Sequence, residues 1–302
     1  MKIENNFRWG CCPLCHSNQI HKVGYADYGG TVKFSTQEID LCNQPEIWIC
    51  DRCYSGFVQN IIAEAISELL YSTSPAGERW SRIPFDELKT SEVVRAMTEV
   101  FKDCRRVLDV GCNTGELLDF AKKLGCVTSG LEYSDVSREV IRSKGHTAYQ
   151  SFDEISDQFE IITAFDLIEH LYDVPNFLNN CHGKLVGGGK LIMLTGDIQS
   201  ASAKAAGAHW WYAQYPEHIV FPAKRYFEGI KNFKLESWLP TYAAEAYKYP
   251  FYRRLLSMIK RVVAGKHYSG MPSSNPDHAL IILTKFSFGH KCKALDTGSG
   301  NR

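Results

Sequence analysis

Residues Arg106 to Leu118, RVLDVGCNTGELL, constrain the fold more than any other stretch: an apolar run ends in a glycine-containing loop that opens a helix. Gly111 and Gly115 allow a sharp turn and a close approach of backbone to ligand, and Asn113 is one of the few other residue types that tolerate positive φ. Such a loop places a ligand at the carboxyl end of a strand in an open α/β sheet. About 20 residues on, a short strand, Val127-Thr128-Ser129-Gly130-Leu131, ends in Glu132, a carboxylate able to accept both hydroxyls of a ribose. The ligand is therefore expected to carry a ribose. It is not expected to be a dinucleotide, because Asn113 and Glu116 occupy the second and third glycine positions of GxGxxG and Glu116 would repel a pyrophosphate.

On these residues the chain resembles the class I S-adenosylmethionine-dependent methyltransferases, whose first motif reads like Val107 to Gly115 and whose second acidic position matches Glu132. That cofactor has no phosphate for Glu116 to repel. The resemblance implies that Asp109, Gly111, Cys112, Asn113 and Gly115 hold the methionine end and Glu132 the ribose. Ser151 and Phe152, after a third strand around His146 to Tyr149, take the adenine position, and Asp166 joins the cofactor site. The likeness continues through Phe159 to Pro175, whose Asp/Glu-xx-Glu-His segment is shared by ubiquinone-type O-methyltransferases and zinc-module sugar C-methyltransferases. Leu185 to Thr195 matches the family's glycine turn into its fifth strand, and Phe233 to Pro240 and Ala279 to Phe286 match its closing strands. The implied fold is α/β: a Rossmann-like, seven-stranded, mostly parallel sheet with helices on both faces. Glu169-His170 reads first as a helix-start acid with a packed or capping histidine; a divalent-metal or substrate role is the alternative.

The segment His209 to Phe221, HWWYAQYPEHIVF, concentrates aromatics, a proline and two histidines after the fifth strand, where a wall or lid over the methyl group is expected. An aromatic core segment is the alternative. It resembles the Tyr-x-Glu-His signature of sugar C-methyltransferases, which implies proton transfer by Tyr215 and His218. Pro216 stands where that signature has histidine, and O-methylating relatives carry a similar Pro-Glu-His, so carbon and oxygen acceptors both remain open. An imidazole, with an ordinary pKa of about 6.5, suits proton removal at neutral pH. His218 is the first candidate for the base and His170 the second.

Six of the eleven cysteines fall within the first 53 residues. Cys12-Pro-Leu-Cys15 and Cys50-Asp-Arg-Cys53 have the spacing of two knuckles sharing one tetrahedral zinc ion, a zinc-ribbon-like module. Cys11 and Cys42 have no partner at that spacing. A closed four-sulfur site predicts structural Zn2+ and no catalysis at that metal. Ile47-Trp48-Ile49 reads as a strand into the second knuckle, with Gly56 serving its turn, and Gly56 to Tyr71 has helical apolar spacing. Serine and proline in Ser72 to Gly77 mark a boundary, and Thr90 or Ser91 caps a further helix. The expected organisation is a zinc module over 1–58, a helical linker over 59–90, a methyltransferase domain over 91–288 and a disordered tail over 289–302.

Lysine plus arginine and aspartate plus glutamate both total 34, so the chain offers no net attraction to nucleic acid or anionic lipid. The first residues lack an apolar signal core, and no apolar run approaches the ~20 residues of a membrane span. A cytoplasmic protein with reduced thiols is expected. The expected function is methyl transfer to a small molecule: a sugar, cell-surface glycan precursor or secondary metabolite. The basic stretch Tyr249 to Ala264 is read as a solvated helix face, or else as a site for an anionic, nucleotide-linked acceptor. An RNA methyltransferase gripping RNA through its zinc module is the enzymatic alternative. Against it, the module's five basic residues (Lys2, Arg8, Lys22, Lys33, Arg52) face six acidic ones (Glu4, Asp27, Glu38, Asp40, Glu46, Asp51). A non-catalytic cofactor-binding or interaction protein is the third reading.

Overall fold

The computed structural model describes residues 2–26, 30–34, 37–73, 83–242, 252, 256 and 275–286. Most of the stretch 72–77, nearly all of the basic segment 249–264 and the whole tail 289–302 lie outside the described residues. The chain opens with short strands β1 (Lys2–Ile3), β2 (Ile20–Tyr25), β3 (Thr31–Phe34), β4 (Gln37–Leu41), β5 (Glu46–Cys50) and β6 (Gly56–Gln59). Three helices follow, α1 (Glu64–Thr73), α2 (Phe85–Leu88) and α3 (Ser91–Phe101). Strands and helices then alternate through β7 (Arg106–Val110), α4 (Glu116–Lys123), β8 (Val127–Leu131), α5 (Asp135–Ser143), β9 (Thr147–Tyr149), β10 (Phe159–Phe165), α6 (Val174–Lys184) and β11 (Leu185–Gly196). The remainder is α7 (Ala201–Ala206), β12 (Val220–Phe221), α8 (Lys224–Glu228), β13 (Phe233–Thr241) and β14 (His278–Lys285).

Seven strands form one sheet in the order β13-β14-β11-β10-β7-β8-β9. β9, β8, β7, β10 and β11 run parallel, and β14 is antiparallel to both β11 and β13. Chain order reverses between β7 and β10, so a ligand enters the crevice outside their carboxyl ends. Alternation along the strands sends Val107, Ile161 and Ile192 to one face, packed with Met97, Phe101 and Leu117 of α3 and α4. It sends Leu108, Ile162 and Met193 to the other, packed with Phe177 and Leu178 of α6. Helices therefore cover both faces, as a parallel sheet requires. Thr90 caps α3 by accepting from the Val93 N–H at 3.3 Å.

The sheet β12-β6-β5-β2 is antiparallel throughout, and a small sheet, β1-β4-β3, lies beside it in the N-terminal region. Here the helix expected over Gly56 to Tyr71 begins only at Glu64. Residues Gly56–Gln59 are all buried and form a strand instead, because β5 pairs with one of its edges and β12 with the other. Ile61, next in the apparent helical spacing, makes a bridge to Phe7. β12 follows the aromatic segment 209–219, so a strand from the α/β region completes the sheet of the cysteine module. No helix among the described residues is long and apolar enough to cross a membrane.

Candidate functional site

The loop after β7 alternates left-handed residues: Gly111 at φ 72°, Asn113 at 48° and Gly115 at 86°. A side chain at Gly115 would also place its Cβ 2.7 Å from Ile141. The loop is tied to the end of β8 by Glu132, which accepts from the backbone N–H groups of Asn113 and Ser134, each at 2.9 Å. Asp109 is buried at the end of β7 and accepts from the Thr163 hydroxyl at 2.7 Å. Burial, opposed by that hydrogen bond and aided by the like charges of Glu116 and Glu132, pushes its carboxyl up to about 7. Asp166, after β10, has a positive φ of 50° and pairs with Lys89 at 2.5 Å. Burial pushes the Asp166 carboxyl up, but the Lys89 ammonium outweighs it and holds the group below its ordinary range. Cys112 is buried beneath the loop. Ser151 and Phe152 stand half-buried where β9 gives way to a short turn, with Phe152 against Phe177.

Asp109, Glu116, Glu132 and Asp166 thus surround the carboxyl ends of three neighbouring strands. Such a set repels phosphate and favours a ligand carrying positive charge. S-adenosylmethionine, with an ammonium and a sulfonium but no phosphate, fits this donor set.

Beyond β10 the structure departs from the helix-start reading of Glu169. The residue sits in a one-turn 3-10 helix, Ile168–His170, ahead of α6, which Asp173 caps. Its carboxylate is wholly buried and accepts from the hydroxyls of Thr195, at 2.8 Å, and Tyr212. His170 and His218 meet edge to face with ring centroids 4.8 Å apart. A carbonyl can only accept, so Nδ1 of His170 carries its proton and donates to Glu217 at 2.9 Å, with the Tyr71 hydroxyl 3.0 Å away. Nδ1 of His218 likewise donates to the Tyr212 carbonyl at 2.6 Å. Burial, with His170 alongside, pushes the His218 imidazole down to about 3, so it stays neutral at ordinary pH.

The segment 209–219 is core as much as wall. Trp210, Trp211, Tyr212 and Tyr215 are all buried. The Tyr215 hydroxyl accepts from the Ile62 N–H at 2.9 Å, and the Tyr172 hydroxyl donates to the Ile62 carbonyl at 2.7 Å. Tyr215 therefore anchors the segment that follows β6, while His170 and His218 come together with Glu169. The sequence reading also missed Lys89, Thr195, Tyr212 and a buried dyad. In the dyad, His278 Nδ1 lies 2.9 Å from Asp277, which also accepts from the Trp211 indole at 2.5 Å.

In the module, the Cys12 and Cys53 sulfurs are 3.7 Å apart and those of Cys15 and Cys50 3.6 Å. A tetrahedral ion with ~2.3 Å bonds to sulfur needs about 3.8 Å. The two loops are matched: His16 N–H donates to the Cys12 carbonyl and Tyr54 N–H to that of Cys50, with His16 and Tyr54 at φ 56° and 60°. The turn thus relies on Tyr54 and not on Gly56, whose lack of a side chain instead admits Ile198 and Phe221. Cys11 and Cys42 are not part of the cluster.

A family model described as a methyltransferase domain matches residues 60–230. Ubiquinone biosynthesis O-methyltransferase from Coxiella burnetii is 32% identical over 103 residues, covering 30% of this chain and 43% of that protein. The protein of the same name from Pseudomonas aeruginosa is 26% identical over 102 residues, covering 30% and 44%. The chain thus spans less than half the length of these curated relatives. Among solved structures, TehB from Haemophilus influenzae is 13% identical with a TM-score of 0.45, covering 67% of this chain and 64% of that one.

Proposed function

The chain belongs to the class I S-adenosylmethionine-dependent methyltransferases, and from that premise we propose that it methylates a small-molecule hydroxyl compound at the crevice between the Gly111–Gly115 loop and the Glu169, His170 and His218 cluster. The observation that carries this reading is the loop itself, with its three left-handed residues locked to Glu132 inside a set of carboxylates. Asp109 and the loop hold the methionine end, Glu132 the ribose, and Ser151 and Phe152 the adenine. Bound there, the cofactor supplies a methyl group made electrophilic by its sulfonium. The protein's part is to align the acceptor, which can contribute several kcal/mol, and to provide for the loss of one proton. We assign that proton to His218, with His170 second, because the two rings meet beside the buried Glu169 carboxylate; burial keeps His218 neutral and able to accept, though less basic than an ordinary imidazole. Tyr215 is assigned to positioning, since its hydroxyl is engaged by Ile62.

A sugar, glycan precursor or secondary metabolite is the acceptor class, and oxygen is favoured over carbon by the O-methyltransferase relatives. RNA is disfavoured by the acidic balance of the cysteine module. That module holds structural zinc through the thiolates of Cys12, Cys15, Cys50 and Cys53, and the free thiols of Cys104, Cys112, Cys126 and Cys181 suit a reducing cytoplasm. Calorimetry with S-adenosylhomocysteine, together with transfer of labelled methyl into a metabolite extract, tests the reading. His218→Ala should lower turnover by about 10²–10⁴-fold while leaving nucleoside affinity within about twofold. Failure of the wild-type protein to bind S-adenosylhomocysteine would sink the proposal.

A further inference from the structure

Glu169, His170 and His218 each offer one donor atom, and the three atoms lie within 4.8 Å of one another. The carbonyls of Glu217 and Tyr212 engage Nδ1 of both rings, so Nε2 is the ring nitrogen left to take a ligand, and no described residue donates to either Nε2. Glu169 meanwhile is a fully buried carboxylate with two hydroxyl donors and no lysine or arginine in contact among the described residues. Burying a carboxylate without a cation is costly. Two imidazoles held beside it by hydrogen bonds from Nδ1 to backbone carbonyls form the arrangement in which a protein orients metal-binding histidines.

We propose that Glu169, His170 and His218 bind one divalent first-row transition-metal ion, and that the ion's open positions take a hydroxyl, or two adjacent oxygens, of the acceptor. Two nitrogen donors and one carboxylate suit zinc, manganese, iron or cobalt better than magnesium or calcium. Donors at ~2.1 Å from one ion stand about 3.0–3.4 Å apart in octahedral or tetrahedral geometry, so binding draws this cluster inward by up to about 1.5 Å. The metal deepens the methyltransferase reading and rests on it for the identity of the acceptor. A coordinated hydroxyl loses its proton more readily. Its O–H bond breaks, the proton leaves to water, and the electron pair stays on the oxygen that is to be methylated. His170 and His218 then serve that proton loss as ligands, and neither needs to store the proton.

The test uses the full chain with its four-cysteine site already loaded with zinc. Titration with Mn2+, followed by loss of the free-ion paramagnetic resonance signal, should show one further ion per chain. His170→Asn, at a half-buried ring, and Glu169→Gln, which keeps the side chain's shape, should each weaken uptake about tenfold or more. Melting curves identify a variant that has failed to fold, and the other variant then carries the comparison. No uptake by the wild-type protein, or uptake unchanged in both variants, overturns the site. An S-adenosylhomocysteine isotherm on the same sample separates the two claims. Nucleoside binding without Mn2+ uptake removes only the metal; Mn2+ uptake without nucleoside binding supports the metal and removes the methyltransferase reading.

Discussion

Asp109 is where the electrostatics of the crevice become measurable. Its carboxyl, pushed up to about 7 chiefly by burial, is partly protonated near neutrality. An ammonium arriving beside it favours the charged form, so the pKa falls on binding and the proton is released. Affinity for S-adenosylhomocysteine should therefore rise as pH climbs through about 7 and level off above it. Calorimetry near pH 6.5 in two buffers of different ionisation heat should reveal release of a fraction of a proton, much smaller at about pH 8 and absent in Asp109→Asn. Identical heats in both buffers would show that Asp109 does not sense the ligand. At this scale, residues whose role follows from local spacing were legible in the sequence. Gly111, Asn113 and Gly115 are residue types that tolerate the positive φ their loop requires, and Glu132 directly follows the next strand. Lys89 was not legible, since its role comes from Asp166, far along the chain, and Asp277 likewise acquires its role from Trp211. No local pattern encodes partners of that kind.

The segment 209–221 shows the same limit at the level of an element. β12 contains two residues, too few to show any periodicity, yet it pairs with β6 and closes the sheet of the cysteine module. Burial of both faces is also why Gly56–Gln59 resembled the start of a helix: a strand with no exposed face has no polar alternation to distinguish it. The Val58 N–H donates to the Ile219 carbonyl and the Ile219 N–H to that of Glu169, so one residue links β6 to the Glu169, His170 and His218 cluster. Tyr215 is the second such link. Tyr215→Phe leaves the Ile62 N–H buried without its acceptor, which should cost about 1–3 kcal/mol of stability. Denaturant unfolding measures that loss, and turnover of the folded variant, measured well below its midpoint, should change by less than about threefold. A fall in turnover of the size set by a missing proton-transfer group, about 10²-fold or more, would return Tyr215 to the chemistry.

Across the whole molecule, the seven-stranded sheet was legible because four of its strands, β7, β8, β10 and β11, run into a glycine or an acid at the carboxyl end, whereas the union of module and sheet was not. One continuous core joins Cys12, Cys50 and Phe57 to Tyr215, Phe221, Met193 and Phe177. The four-cysteine site therefore connects to the Glu169 cluster through β5, β6 and β12, whereas the Gly111–Gly115 loop follows β7 and is tied to the end of β8. Loss of the metal should reach the two halves of the site unequally. Cys15→Ser isolates this effect from the Glu169 cluster, which a chelator would also strip. The variant should lose its zinc and melt in one transition about 10 °C lower, equivalent to ~3–5 kcal/mol for a domain of this size. Turnover should fall more than affinity for S-adenosylhomocysteine, because the unbraced strand is the one that follows His218. Equal losses in both, or a melting temperature unchanged after zinc is gone, would mean that the module folds and works independently of the sheet beside it.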